Sequence, residues 1–214
     1  MIKTYYEQVL PHIQPIGATF FVTFFLRDAL PKAFLEKIKQ EYDGKVEIIK
    51  FSSALNKDDL IYIEQKIYFK KLDDALDKTA NNVYHLKNSE IAQLIAHKIE
   101  EFDNQYYHLL AYSIMPNHVH LVVDFSIQIK PDLPYEDNYK QLYEVMKLIK
   151  GNTGYYANKI LNKTGSFWQK ESYDHYVRNQ KELANIVFYT LNNPVKAGLV
   201  EKIEDWPYSF TCYV

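Results

Sequence analysis

The sequence predicts an α+β domain in which an antiparallel sheet carries helices on one face. Three observations support this class. The predicted order of elements is strand, helices, strand, strand, helix, strand, helix, which is typical of α+β folds rather than of alternating α/β folds. Two of the strands are separated by a very short turn, and only antiparallel strands can be joined so tightly. The length of 214 residues is sufficient for one domain with a substantial core.

The first half of the chain predicts one strand followed by a mainly helical segment. Residues 18–26 are rich in Phe, Val and Thr and predict a buried strand. Apolar residues at helical spacing after a proline predict a helix over 31–42. Residues 46–51 predict a short strand, and the mixed apolar and charged residues of 58–76 predict a helix.

The second half predicts the elements that complete the sheet. Ser89 is typical of an N-cap and precedes a clearly amphipathic stretch. Two apolar runs flank Pro116-Asn117, a turn signal. The predicted elements are a helix from Ser89, strands over 106–115 and 118–125, a helix over 139–161 with a break near Gly151 or Gly154, a strand or loop over 166–177, and a helix over 180–192 that ends before Pro194.

We interpret residues 1–214 as a single domain with an insertion at about 28–88. The predicted insertion separates the first strand from the rest of the sheet. The sequence contains no internal repeat, low-complexity tract or linker that would mark a second boundary.

The charge distribution favours a localised binding site for a polyanion. The formal net charge is only −2, so the protein as a whole is not basic. Between residues 141 and 200, however, there are eight basic residues and four acidic ones. A basic segment on an acidic remainder is typical of a polyanion-binding surface, although ordinary scatter of surface charge explains it equally well.

Cysteine content and hydropathy predict a soluble, cytoplasmic protein. Cys212 is the only cysteine, which excludes an intrachain disulfide and indicates a reducing compartment. The N-terminal residues lack the apolar core of a signal peptide. The longest early apolar run, residues 20–26, is far shorter than the ~20 residues that span a bilayer.

A His-x-His pair on the second central strand predicts a metal site. Side chains alternate along a strand, so His118 and His120 project from the same face. Two imidazoles that lie so close can share one divalent cation. The alternative is that they are two polar residues on the solvated side of a half-buried strand.

A second pattern lies on the last predicted helix. Tyr189 and Asn193 are four residues apart, so they share one helix face. A tyrosine beside a metal can attack a phosphodiester, and the amide of Asn193 could reach the same metal. The alternative is a core tyrosine followed by an ordinary Asn-Pro helix stop.

Together these patterns resemble one protein family. The matching runs are Met-Pro-Asn-His-Val-His at 115–120, Phe-Trp-Gln at 167–169, Tyr-Asp-His at 173–175, and Tyr189 with Asn-Pro-Val-Lys-Ala-Gly-Leu-Val at 193–200. In this order and spacing they resemble the REP-associated tyrosine transposases, within the single-tyrosine HUH transposases. The resemblance is close over residues 89–208 and weak over about 28–88.

The resemblance implies a fold and a reaction. The family fold is a ferredoxin-like antiparallel sheet with both histidines on a central strand. Tyr189 would attack single-stranded or hairpin DNA and form a 5′-phosphotyrosine. His118, His120 and Asn193 would hold Mg²⁺ or Mn²⁺. The catalytic residues would be Tyr189, His118 and His120. Tyr155, Tyr156, Tyr173 and Tyr176 are competing tyrosines that lack the family spacing. The active form would be a monomer or a homodimer.

Five side chains are candidates for DNA contact. Lys150, Arg178 and Lys196 are possible phosphate partners. Trp168 is expected either to stack on a base or to fill the core. Gln169 is expected either to meet a base edge or to cap a turn, and for Asn117 we favour the structural role.

Two rival functions stay open at this point. One is a DNA-binding protein that keeps the fold but does not cleave. The other is a metal nuclease that activates water and forms no covalent intermediate. A site of two neutral imidazoles and one amide also predicts that Mg²⁺ or Mn²⁺ binds tightly only together with DNA.

Overall fold

The computed structural model describes residues 4–7, 11–78, 83–129 and 138–213. The chain divides into two compact units. The first comprises Met1–Arg27 with Tyr84–Val214, and the second is Asp28–Val83. The interpretation as one domain with an insertion at about 28–88 remains a prediction.

The first unit is built on a five-stranded sheet in which every neighbouring pair is antiparallel. Its order is β6-β3-β5-β4-β7, and β1 and β2 form a separate two-stranded sheet. The strands are β1 (Tyr5–Glu7), β2 (Pro11–Ile13), β3 (Thr19–Phe25), β4 (His108–Ile114), β5 (His118–Asp124), β6 (Tyr173–Tyr176) and β7 (Ser209–Thr211). The α+β class and the antiparallel sheet predicted from the sequence are confirmed.

Five α-helices accompany the strands in the described part of the chain. They are α1 (Lys32–Phe51), α2 (Lys57–Asp77), α3 (Ser89–Glu101), α4 (Leu142–Ile160) and α5 (Gln180–Lys196). Asn88 rather than Ser89 caps α3, because its side-chain oxygen accepts from the backbone of Glu90 and Ile91. A capping box between Gln141 and Glu144 begins α4. No described helix has the length and apolar character needed to cross a membrane.

The central strands are covered on both faces of the sheet. β3 and β5 are buried along almost their whole length, so side chains of both parities lie in the interior. On one face α5 packs against β4 and β5. On the other face the Tyr112 hydroxyl of β4 donates to Glu100 of α3, at 2.7 Å. The expectation of helices on a single face is therefore too simple.

A tight turn joins β4 and β5 and positions the histidine strand. The backbone N–H of Met115 donates to the carbonyl of His118 at 2.8 Å, and that of Leu26 donates to the carbonyl of Asn117 at 2.9 Å. Ser113 is the β4 partner of His120 in the register. The predicted turn at Pro116-Asn117 is thus present, with β5 in the centre of the sheet.

The second unit is a pair of helices. α1 and α2 are antiparallel, since Tyr42 packs against Tyr68 and Glu41 binds Lys71, while Lys57 contacts the backbone at the end of α1. The predicted strand over 46–51 is wrong. These residues continue the helical spacing of the apolar residues before them, and this pattern outweighs their β-propensity.

Three further sequence predictions are corrected. α4 runs unbroken through Gly151 and Gly154. Only the last part of 166–177 is a strand, β6. α5 continues through Pro194 to Lys196, and Pro194 is buried against the rest of the unit.

Candidate active site

The two histidines lie side by side in the interior of the first unit. His118 and His120 alternate with Val119 on β5 and therefore face the same way, and both are fully buried. Their Nε2 atoms are 3.1 Å apart. The pair has metal-ligating chemistry and burial of the kind a metal site requires.

Each imidazole is held through its other ring nitrogen. The Asn117 amide oxygen lies 2.7 Å from Nδ1 of His118. An amide oxygen can only accept, so this contact is a hydrogen bond in the His118 tautomer that carries its proton on Nδ1 and a lone pair on Nε2. Thr23, the β3 partner of His120 in the sheet register, has its hydroxyl 2.8 Å from Nδ1 of His120.

Asn193 brings a third polar group to the pair. It is fully buried on α5, and its Nδ2 lies 3.1 Å from Nε2 of His120. Its Oδ1 is buried and has no hydrogen-bond partner among the described residues. In this orientation the amide nitrogen donates to Nε2 of the His120 tautomer that carries its proton on Nδ1, and the Thr23 hydroxyl is placed to accept that proton.

The geometry fits a shared divalent cation. The two Nε2 atoms, 3.1 Å apart, are close enough to be ligands of one ion. Two ligands each about 2.1 Å from one ion lie about 3.0 Å apart when they subtend a right angle. A half-turn of the Asn193 amide exchanges its nitrogen and oxygen and offers the unpartnered oxygen to the same ion.

Tyr189 stands next to this cluster, one turn before Asn193. Its ring centroid is 5.6 Å from that of His120 and 6.1 Å from that of Phe21. Phe21 in turn stacks on His120 at 5.6 Å, so the three rings pack together. The Lys196 ammonium lies 5.7 Å from the Tyr189 ring centroid. Tyr189 is only partly buried, so a substrate can reach it.

The competing tyrosines differ in where they lie, and the buried Tyr173 packs against Phe21 of this cluster, with ring centroids 6.5 Å apart. Tyr155 and Tyr156 are exposed on α4 and pack against each other. The Tyr176 ring stacks on His175, whose Nε2 lies 3.2 Å from the Glu182 carboxylate. Among the tyrosines of the described residues, Tyr189 is the one for which a ring contact with His120 is found.

Comparison with known proteins finds REP-associated tyrosine transposases among the similar sequences. A Haemophilus influenzae protein named as a REP-associated tyrosine transposase is 32% identical over 106 residues, 47% of this chain and 56% of the relative. The REP-associated tyrosine transposase of Escherichia coli is 41% identical over 44 residues, 21% of this chain and 27% of the relative. The chain thus matches about half, or less, of the length of these relatives. No protein-family model matches the chain.

The fold leads to the same kind of protein. The solved structure of a REP-associated tyrosine transposase bound to a REP hairpin aligns with a TM-score of 0.53 at 18% identity, over 98% of this chain and 82% of that chain. At this identity the likeness shows a shared fold. Sequence and fold thus agree that this chain is similar to the REP-associated tyrosine transposases. The sequence resemblance is thereby confirmed.

In this relative of the REP-associated tyrosine transposases, Trp168 is a core residue. It is 4% exposed, and its Nε1 donates to the Thr153 hydroxyl at 3.0 Å. Phe24 and Phe167 pack against it with ring centroids 4.8 and 4.9 Å away. Of the two alternatives for Trp168, this packing favours the one in which its rings fill the core.

The remaining DNA-contact candidates differ in how available they are. Arg178 and Lys196 are exposed, and Gln169 is half-buried. The Lys150 ammonium donates to the Lys170 carbonyl at 2.9 Å and to the Ser172 hydroxyl at 3.0 Å. Burial lowers the pKa of Lys150 to about 8. Their contacts with DNA remain predictions.

Thr23 and Phe21 are site residues that were not predicted from the sequence. For Asn117 the sequence predicted only a structural role, and the structure shows that this role is to contact Nδ1 of His118. The pairing of Thr23 with His120 depends on sheet register between distant segments, which local patterns do not reveal. The available signal was a threonine in the otherwise apolar strand Thr-Phe-Phe-Val-Thr-Phe-Phe. A buried hydroxyl in such a strand requires a polar partner.

Proposed function

We propose that this protein is a metal-dependent, single-strand DNA nicking and joining enzyme in which Tyr189 is the nucleophile. The observation that carries the proposal is that the Tyr189 ring and the Asn193 amide both contact His120, whose Nε2 lies 3.1 Å from that of His118. Similarity to the REP-associated tyrosine transposases supports the same reaction.

In the proposed reaction the Tyr189 phenolic oxygen attacks the scissile phosphorus. The bond from phosphorus to the 3′ oxygen breaks, the phenolic proton is lost, and the departing oxygen takes up a proton. The products are a 5′-phosphotyrosyl enzyme and a free 3′-hydroxyl. Joining is the reverse attack by a 3′-hydroxyl. Because one phosphate ester replaces another, the strand can be rejoined without a nucleotide triphosphate.

His118, His120 and Asn193 would hold the divalent ion, Mg²⁺ or Mn²⁺. When bound, it would neutralise charge on the phosphate oxygens and orient the scissile bond. Asn117 and Thr23 keep the imidazoles in the tautomers that leave Nε2 available. The packing of Phe21 against both His120 and Tyr189 fixes the nucleophile relative to the ligands.

We infer that the substrate is a DNA hairpin with a single-stranded flank. The solved relative was bound to a REP hairpin, and the basic segment of this chain is suited to a polyanion. Arg178 and Lys196 are exposed and would contact phosphates near Tyr189, with Gln169 and Lys150 as further candidates.

The test is covalent capture of DNA. The protein is incubated with labelled hairpin oligonucleotides and Mn²⁺ and analysed on a denaturing gel. We expect a metal-dependent protein–DNA adduct that Tyr189→Phe abolishes and that the matched change Tyr176→Phe retains. Tyr189→Phe should leave DNA binding intact, because the phenyl ring keeps its packing.

Other outcomes would support the rival functions. Cleavage without an adduct, unaffected by Tyr189→Phe, would favour a water-activating nuclease. Binding of hairpins with neither cleavage nor adduct would favour a DNA-binding protein that does not cleave. Adducts that persist in Tyr189→Phe would assign the nucleophile to another tyrosine.

A further inference from the structure

A large groove lies on the first unit, away from the histidine pair. It has a volume of about 820 Å³ and runs between α4 and the segment 163–174. Val22 of β3 lines it, whereas the neighbouring residues Phe21 and Thr23 contact His120. Because side chains alternate along a strand, the groove and the candidate active site lie on opposite faces of the sheet.

One wall of the groove is a single exposed ridge of α4. Tyr143, Lys147, Gly151, Tyr155 and Lys159 follow one another at intervals of four residues, and all five are exposed and line the groove. Residues at this spacing stack on one helix face. At 1.5 Å per residue the ridge is about 24 Å long. The ridge therefore carries a tyrosine followed by a lysine twice, and the glycine between the two pairs has no side chain to fill the groove.

The opposite wall adds positive charge. Lys163 and Lys170 are exposed there, so that the groove is lined by five lysines and only two carboxylates, Glu171 and Asp174. One of the carboxylates accepts a hydrogen bond from Gln14 at 3.1 Å. The protein as a whole carries a net charge of −2. The groove therefore concentrates positive charge that the rest of the surface does not have.

The aromatic members of the ridge are presented to solvent. Tyr143 is 44% exposed and Tyr155 is 57% exposed. The Lys159 ammonium lies over the Tyr155 ring, 4.5 Å from its centroid. Exposed aromatic rings between lysines form a typical surface for single-stranded nucleic acid, where bases stack and phosphates meet the cations.

We propose that this groove binds single-stranded DNA that flanks the hairpin or the scissile phosphate. The inference rests on the proposed function for the class of ligand, but the groove needs neither the metal nor Tyr189. Tyr143 and Tyr155 stack on bases, and Lys147, Lys159 and Lys163 contact phosphates. Substrate would then be held on both faces of the sheet, with the chemistry on one and a longer stretch of strand on the other.

The experiment measures fluorescence anisotropy of labelled, unstructured single-stranded oligonucleotides at several salt concentrations, with a chelator present. The test variants are Lys147→Ala/Lys159→Ala and Tyr155→Ala. The matched control Lys37→Ala/Lys202→Ala removes two exposed lysines from elsewhere. All of these positions are exposed, and circular dichroism checks that each variant is folded.

We expect the groove double variant to bind at least about ten-fold more weakly and to lower the salt slope by about 1.4, which is ~0.7 for each lost phosphate contact on a single strand. Tyr155→Ala should weaken binding about five-fold or more, while Tyr155→Phe retains binding because the ring can still stack. Unchanged affinity in the groove variants, or an equal loss in the control, would overturn the proposal. A parallel titration with duplex DNA would also overturn the proposal if the groove variants lost affinity for the duplex but not for the single strand.

Covalent capture separates this proposal from the proposed function. If the wild type forms adducts and the groove variants bind single strands normally, the groove proposal is refuted and the proposed nicking activity is not. Weakened strand binding by those variants in a protein that never forms adducts would refute the nicking activity and leave the groove in place.

Discussion

At the scale of single residues, the site is defined by which ring nitrogen of each histidine carries the proton. Asn117 and Thr23 engage Nδ1 of His118 and His120 and direct both Nε2 atoms inward. Both partners are neutral, so they orient the rings without adding negative charge. Thr23 is therefore a positioning residue, because it acts only through His120.

Thr23→Val tests this role. The change removes the acceptor of the buried Nδ1 proton, so the other tautomer becomes favourable and the lone pair on Nε2 is lost. We expect metal affinity in the DNA complex, and with it the rate of adduct formation, to fall about 10- to 100-fold. Affinity for DNA without metal should not change. Thr23→Ser should restore activity, and a valine variant as active as the wild type would refute the role.

At the scale of elements, the contact between α4 and the segment 166–169 determines what Trp168 can do. The Trp168 Nε1 donates to the Thr153 hydroxyl inside the interface, and Thr153 is fully buried. Gly154 allows the close approach, since a Cβ there would lie 3.3 Å from Cβ of Phe167. This packing converts a residue that could stack on DNA into part of the core.

Thr153→Val measures the strength of this contact. Valine has nearly the same shape but leaves the indole N–H buried without an acceptor, which costs about 1–3 kcal/mol. We expect the free energy of unfolding in urea to fall by about that amount. The matched change Thr164→Val, at an exposed threonine, should alter it by less than about 0.5 kcal/mol. Equal effects at the two positions would show that the hydrogen bond contributes nothing.

At the scale of the whole molecule, metal binding should be coupled to DNA binding. The three proposed protein ligands are all neutral, whereas Mg²⁺ and Mn²⁺ prefer anionic oxygen ligands. Phosphate oxygens of the substrate supply that charge. Bound DNA then increases the affinity of the protein for the metal ion, and bound metal increases its affinity for DNA by the same factor.

Calorimetric titration with Mn²⁺ tests the coupling. We expect binding to the DNA-free protein to be at least ten-fold weaker than binding to the complex of Tyr189→Phe with a hairpin oligonucleotide. Asn193→Asp supplies a carboxylate and should tighten metal binding in the DNA-free protein. Tight, stoichiometric Mn²⁺ binding by DNA-free wild type would contradict the prediction.

Global stability should also respond to the buried Lys150. Its pKa is about 8 in the folded protein, below the ~10.4 of an unfolded lysine. Between these values the unfolded chain binds more protons, so stability rises with pH across this window and the penalty is fully present below pH ~8. We expect the stability of the wild type to increase relative to Lys150→Met between pH 8 and 10. Parallel pH profiles would refute the lowered pKa.

The sequence by itself determined the local geometry of the candidate site. The two-residue repeat of a strand puts His118 and His120 on one face, and the helical repeat puts Tyr189 and Asn193 on another. These periodicities follow from backbone dihedral angles and act over four residues or fewer. The same local rules predicted the turn at Pro116-Asn117 and most of the helices.

Only the tertiary structure decided how those faces meet. It brings Asn193 to His120, sets Thr23 opposite His120 and buries Trp168. Each of these outcomes depends on contacts between distant segments, and sheet register and core packing select them through burial summed over many residues. No local pattern contains that sum.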